Sequence, residues 1–244
     1  MAEPSLSITG LRREFGSVTA LDGVDLDLTG AGIVGLAGPN ASGKTTLIRC
    51  LLGRLTPTDG SSAINGTLSL ALEAEDRRSI GYMPQREAIY EDLSPRANAG
   101  FFARLYGLDD PMAAVDRALD VVELTHRQDD PVKDLSGGMI RRASLACAIV
   151  HDPQVLFLDE PTVGLDPELR SSMWDTFRTW RDAGSLILVS THYLGEATRC
   201  DNVLFLRDGR PLAFDTPAQF LESTGTADLE AAFLQLLDDG GDRG

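Results

Sequence analysis

Residues 33–46 read Ile-Val-Gly-Leu-Ala-Gly-Pro-Asn-Ala-Ser-Gly-Lys-Thr-Thr. Ile33 to Ala37 predicts a short buried strand, and Thr46 to Leu52 predicts a helix. Between them, Gly38 to Thr45 has the spacing G-x-x-x-x-G-K-T, which suits a backbone wrapped around a polyphosphate. The glycines let amides converge on the anion, Lys44 carries a point charge to the outer phosphates, and Thr45 offers a hydroxyl to Mg²⁺. Such phosphates sit on a helix N-terminus, where unpaired amides and the helix dipole favour negative charge. The stretch therefore specifies an α/β protein that binds a nucleotide.

A chain of 244 residues, 43% of them hydrophobic, can bury one large α/β domain, alone or with a small helical insert. No apolar run approaches the ~18 residues needed to cross a bilayer, and Met1 to Ser5 does not resemble a signal peptide. Cys50, Cys147 and Cys200 are odd in number and widely spaced in apolar surroundings, which fits reduced core residues. These features together predict a soluble, cytoplasmic chain. The formal charge of −15 argues against a nucleic-acid partner, which needs clustered Lys and Arg. Lys44 and Lys133 are the only lysines. The acidity fits either a high-salt cytoplasm, where screening tolerates carboxylates, or a genome rich in Arg, Asp, Ala and Gly codons.

Along the chain, Ser5 to Leu28 predicts two strands and a turn, and Thr56 to Gly60 reads as turn chemistry. Ala63 to Leu72 and Ile80 to Met83 are further strand candidates. Asn98 to Leu105, Met112 to Leu124 and Ile140 to Val150 have helical spacing. Gln154 to Leu158 and Ser185 to Ser190 are buried strands, each followed by a helix (Pro167 to Arg181 and Leu194 to Arg199). Asn202 to Leu206 and Pro211 to Phe214 close the strand series. Thr226 to Leu237 is an amphipathic helix, and Asp238 to Gly244 is expected to be disordered.

Val155 to Leu158 is an apolar strand ending in Asp159-Glu160. The C-terminal end of such a strand opens where α/β sheets bind ligands. Asp159 is the candidate Mg²⁺ ligand, and Glu160 the candidate general base that polarises a water. Ser136-Gly137-Gly138 ahead of a helix forms a second anion nest of bare amides, a hydroxyl and a helix N-terminus. It either caps the same phosphates or reaches the nucleotide of another copy.

The succession of the Gly38–Thr46 loop, Gln85, Leu135-Ser136-Gly137-Gly138-Met139, Val155 to Glu160, Gly164-Leu165-Asp166-Pro167 and Ser190-Thr191-His192 resembles the ATPase subunit of ATP-binding-cassette (ABC) transporters. The resemblance spans about Leu6 to Phe214. It implies a P-loop NTPase fold with a RecA-like core, an antiparallel β-subdomain and an inserted helical subdomain at about residues 86–150, all within one ABC ATPase domain of residues 1–237. It further implies a head-to-tail dimer sandwiching two ATPs, in which Ser136, Gly137 and Gly138 cap the partner's γ-phosphate. By the same resemblance, Gly38, Pro39, Asn40, Ala41, Ser42, Gly43, Lys44, Thr45 and Thr46 cradle ATP, and Phe15 stacks on its adenine. Gln85 touches Mg²⁺ or the attacking water and couples the site to a membrane subunit. Asp166 lies at the dimer interface, and His192 bonds the γ-phosphate and positions the water.

Two positions depart from the family pattern. Ala41 replaces a common glycine, which matters only if that residue needs φ > 0. Met139 replaces the usual glutamine. Met139 followed by Arg141-Arg142, the Pro161 to Pro167 stretch and the Asp228 to Leu234 tail resemble the export branch, which handles drugs, polysaccharides or ions. The implied protein hydrolyses ATP, with Mg²⁺, at the cytoplasmic face of the membrane and powers a separate integral membrane permease. The alternative is a soluble, non-transport ATPase of the same superfamily. Long coiled-coil inserts or a second nucleotide domain would mark that reading, and neither is in the sequence.

Overall fold

In the computed structural model, residues 3–86 and 88–241 are described, the last three by backbone alone. The chain opens with an antiparallel pair, β1 (Ser5–Phe15) and β2 (Val18–Thr29), followed by β3 (Gly32–Ala37) and helix α1 (Lys44–Leu51). Next come β4 (Asp59–Ile64) and β5 (Thr67–Leu68). The strand expected over 63–72 is thus broken, because Asn65 (φ 51) and Gly66 (φ 81) make a two-residue turn with both residues left-handed. A 3₁₀ turn covers Ser69–Ala71, and Asp59-Gly60, expected to be turn, opens β4.

Helix α2 (Ala74–Arg77) and strand β6 (Ile80–Met83) lead into three helices, α3 (Pro95–Leu105), α4 (Pro111–Val121) and α5 (Gly137–Ile149). Each of the three starts earlier than hydrophobic spacing suggests. Ser94, Asp110 and Ser136 accept backbone amides as N-caps, and Pro95 and Pro111 fit the first turn, where no donor is needed. Then follow β7 (Val155–Asp159), α6 (Pro167–Asp182), β8 (Leu186–Thr191), α7 (Leu194–Ala197), β9 (Asn202–Arg207) and β10 (Arg210–Asp215). The chain closes with α8 (Pro217–Thr224), which the sequence reading lacks, and α9 (Leu229–Gly241). Helix α9 includes Asp238 to Gly241, where a disordered tail was expected; residues 242–244 of that expectation lie outside the described residues.

The strands form two sheets. One is antiparallel, in the order β2-β1-β4-β5; the other runs β10-β9-β3-β8-β7-β6, parallel from β9 to β6 with β10 antiparallel at its edge. β7 and β8 are buried at every residue, as expected of parallel strands covered on both faces. Alternate residues of the larger sheet feed two cores. Val34, Leu36, Phe157 and Leu188 join Leu47 and Ile48 of α1 and Leu6 and Ile8 of the antiparallel sheet. Ile33, Leu158, Ile187 and Phe205 join Trp174 and Phe177 of α6, Leu145 of α5 and Phe233 of α9. This packing brings the C-terminal ends of β3, β7 and β8 side by side. Among the described residues, no helix is long and apolar enough to cross a membrane.

Candidate functional site

The loop from Gly38 to Gly43 leaves the end of β3 and delivers α1 with Lys44 as its first residue. Its glycines are sterically required. A Cβ on Gly38 would fall 2.1 Å from the Leu206 carbonyl oxygen, and one on Gly43 (φ +107) would fall 2.7 Å from that of Ala20. Ala41 has φ 63, so the alanine that replaces the family's glycine does sit in the left-handed region. Lys44 is buried and its Nζ donates to the carbonyls of Gly38 (2.8 Å) and Pro39 (2.9 Å). Burial holds the Lys44 ammonium below its ordinary pKa, against the opposing pull of the Glu160 and Asp159 carboxylates.

The two carboxylates at the end of β7 meet this loop in different ways. Asp159 is fully buried; its Oδ1 accepts from Ser190 Oγ (2.6 Å) and Thr45 Oγ1 (3.2 Å), while Oδ2 has no hydrogen-bond partner. A buried carboxylate oxygen without a partner, beside a threonine hydroxyl, suits a hard divalent cation that takes oxygen ligands. Glu160 is left-handed (φ 55) and fixed at several points. Its amide donates to the Ser190 hydroxyl (2.9 Å) and carbonyl (3.2 Å), and its carbonyl accepts from the Arg141 guanidinium. Its Oε2 accepts from His192 Nδ1 at 2.6 Å, and its Oε1 lies 3.9 Å from Lys44 Nζ.

A cleft of about 630 Å³ covers the loop. Phe15, Asn40, Ala41, Ser42, Gly43, Lys44, Thr45, Thr46, Gln85 and Glu160 line it, joined by Val18, Thr19, Ala20 and Asp208. Phe15 is about half exposed at one side, with the Arg13 guanidinium 4.4 Å from its ring centre. Thus Phe15, the loop, Gln85, Asp159, Glu160 and His192, drawn from distant parts of the chain, come together in one place. Ser136, Gly137, Gly138 and Asp166 do not line this cleft. Ser136 is exposed and caps α5 through Met139 N (3.4 Å), and Asp166 is exposed and caps α6 through the amides of Glu168 and Leu169 (3.0 Å each).

Several residues of the site have no role in the sequence reading. Ser190 ties β7 to β8 by contacting both carboxylate-bearing residues; a hydroxyl ending an apolar strand was its signal. Asp208-Gly209 turns β9 into β10 and brings Asp208 to the cleft, a turn dipeptide legible in sequence but with no indication of where it lands. Arg141 is buried within α5 and reaches Gln85 as well as Glu160.

The profile of a family described as "ABC transporter" matches residues 21–163. A Nod factor export ATP-binding protein I from Ralstonia nicotianae is 36% identical over 223 residues, which span 89% of this chain and 69% of that protein. A daunorubicin resistance ATP-binding protein from Streptomyces coeruleorubidus is 36% identical over 228 residues, 92% of this chain and 72% of that one. Among solved structures, the ATP-binding subunit of an ABC transporter superposes with a TM-score of 0.84 at 28% identity, covering 96% of this chain and 99% of that one.

Proposed function

The chain belongs to the ABC transporter family as an ATP-binding, ATP-hydrolysing subunit, and on that premise we propose how its residues use ATP and what it works with. One observation carries the proposal: Glu160 is held by its amide, its carbonyl and its carboxylate at the edge of the loop cleft, with Lys44 and His192 on its two oxygens. A carboxylate immobilised in this way can orient a water without reorganising during the reaction.

In this reading the loop amides and Lys44 bind the β- and γ-phosphates of ATP, and Phe15 stacks on the adenine beside Val18 and Ala20. Thr45, Asp159 (whose Oδ2 has no partner) and Gln85 would hold Mg²⁺, which would supply charge neutralisation on the phosphates. Glu160 accepts a proton from the attacking water. His192 Nδ1 donates to Glu160, so Nε2 is the ring nitrogen left to face the γ-phosphate.

Ser136, Gly137, Gly138 and Asp166 lie outside their own chain's cleft, which supports the second use of the nest, capping the γ-phosphate of a second ATPase subunit in a head-to-tail dimer. ATP would close that dimer through charge-assisted bonds to both chains, and hydrolysis would remove them. The chain then acts at the cytoplasmic membrane face as the motor of an integral permease. The names of its relatives, an export protein for Nod factor and a daunorubicin resistance protein, support an export system.

Glu160→Gln keeps the shape of the side chain and removes the base. Turnover is expected to fall about 10²–10⁴-fold, and with MgATP the variant should run as a dimer in size-exclusion chromatography. Hydrolysis at the wild-type rate would rule out the assignment.

A further inference from the structure

Helix α5 starts at the Ser136–Gly138 nest, where Ser136 and Gly137 are exposed, and one turn later carries Arg141, which is buried against the chain's own site. Arg141 is 4% exposed. One guanidinium nitrogen donates to the Gln85 carbonyl at 2.6 Å, and another donates to the Glu160 carbonyl. These two acceptors are the backbone of the residues placed above at the cation and at the attacking water. Its neighbour Arg142 points elsewhere, to the carbonyls of Val122 (3.3 Å) and Glu123 (3.2 Å) at the end of α4.

We infer that Arg141 is a positioning residue for hydrolysis: it couples α5, and with it the nest that meets the partner's ATP, to Gln85 and Glu160 of its own chain. The inference rests on the roles proposed for those two residues. Three features of the geometry support it. The Arg141 guanidinium is planar, so two donors in a fixed fork set the separation of two carbonyls from different segments. Glu160 is in the left-handed region, so its carbonyl leaves the strand ladder and is held by the Arg141 guanidinium together with the Val163 amide (3.4 Å). Ser190 fixes the other side of the same residue, so Arg141 supplies the contact from the helical side. A shift of α5 upon dimer closure would reach the water-positioning carboxylate through the Arg141 side chain. Lysine cannot replace it, because a point ammonium on a flexible stem does not hold both carbonyls in a fixed fork.

The test uses Arg141→Lys and the double variant Arg141→Lys/Glu160→Gln in the full chain. For Arg141→Lys, kcat is expected to fall roughly 10- to 100-fold, the cost of about an ångström of misplacement, with KM for ATP changed less than about twofold. The double variant should still form the MgATP-dependent dimer, and the melting temperature of Arg141→Lys should stay near wild type. Unchanged kcat in Arg141→Lys overturns the inference. A loss of melting temperature, ATP affinity and dimer formation together also overturns it, since that pattern belongs to a merely structural arginine. If Glu160→Gln alone forms no dimer, the failure lies in the underlying reading of Glu160 and not in Arg141.

Discussion

Two helix N-termini in this chain are built from the same chemistry, bare glycine amides with a hydroxyl, yet they are finished differently. The loop before α1 is closed in by its own chain: a Cβ on Gly38 or Gly43 would collide with the Leu206 or Ala20 carbonyl, Ser42 is buried, and Lys44 donates to two loop carbonyls. The nest before α5 is open. Ser136 and Gly137 are exposed, and a Cβ on Gly137 would meet nothing within 4 Å. A site walled by its own fold can hold an anion unaided. An open one supplies half the contacts and needs a second surface to exclude water, which is why the nest is assigned to a partner's nucleotide.

The largest expected difference between the two comes from one methyl group. Gly43→Ala places a Cβ 2.7 Å from a backbone oxygen at φ +107, where side chains are rarely tolerated. It should destabilise the fold by about 2–4 kcal/mol through strain and overpacking and abolish ATP binding, read by denaturant unfolding and by titration with a fluorescent ATP analogue. Gly137→Ala should change stability by less than about 0.5 kcal/mol and leave ATP affinity intact, while lowering hydrolysis and dimer formation. Equal damage in the two variants would break the comparison.

A smaller effect tests the first loop from the other side. Ala41 at φ 63 carries about 1–2 kcal/mol of left-handed strain. Ala41→Gly relieves it but adds about 0.4–1 kcal/mol of unfolded-chain entropy. A net gain between zero and about 1.6 kcal/mol should appear in denaturant unfolding.

The smallest effect concerns how α5 is anchored. At its far end His151 is buried, stacked on Tyr106 with ring centres 3.7 Å apart, and its Nε2 donates to the Ile80 carbonyl at 2.9 Å while Nδ1 has no partner. Burial holds its pKa below the ordinary 6.5, although the Ile80 carbonyl and Asp152 oppose the shift. The folded state therefore binds fewer protons here than the unfolded chain. The stability of the neutral form is fully present above pH 6.5 and is lost as the pH falls from there towards the depressed value. Melting curves between pH 7.5 and 5.5 should show a steeper fall for wild type than for His151→Phe. Parallel curves would remove His151 from this account.

Much of this was legible because local chemistry and tertiary role coincide. The strand, glycine loop and Lys44-Thr45 are contiguous, so one stretch of sequence states both the geometry and the ligand. The position of Asp159-Glu160 was legible for a similar reason, since an apolar strand that ends in carboxylates delivers them to the sheet's C-terminal edge, where both are in fact buried. Helix α8 was not legible: eight residues capped by Thr216 and Gly225 bury chiefly Phe220, against Phe205, and their apolar pattern is too short to read. The hairpin at Asn65-Gly66 carried a readable turn signal that the apolar residues on both sides obscured.

By itself, then, the sequence determined the strand-loop-helix around Lys44, the buried strands and the placing of Asp159 and Glu160 at the end of one of them, because each depends on residues within a few positions of one another. The tertiary structure decided which carboxylate oxygen is left without a partner, that Ala41 is strained, that Glu160 is clasped between Ser190, His192 and Arg141, and that Ser136 does not line its own chain's cleft. Those properties depend on distances between segments up to 114 residues apart, as in the contact of Thr45 with Asp159. Packing sets such distances; spacing along the chain does not.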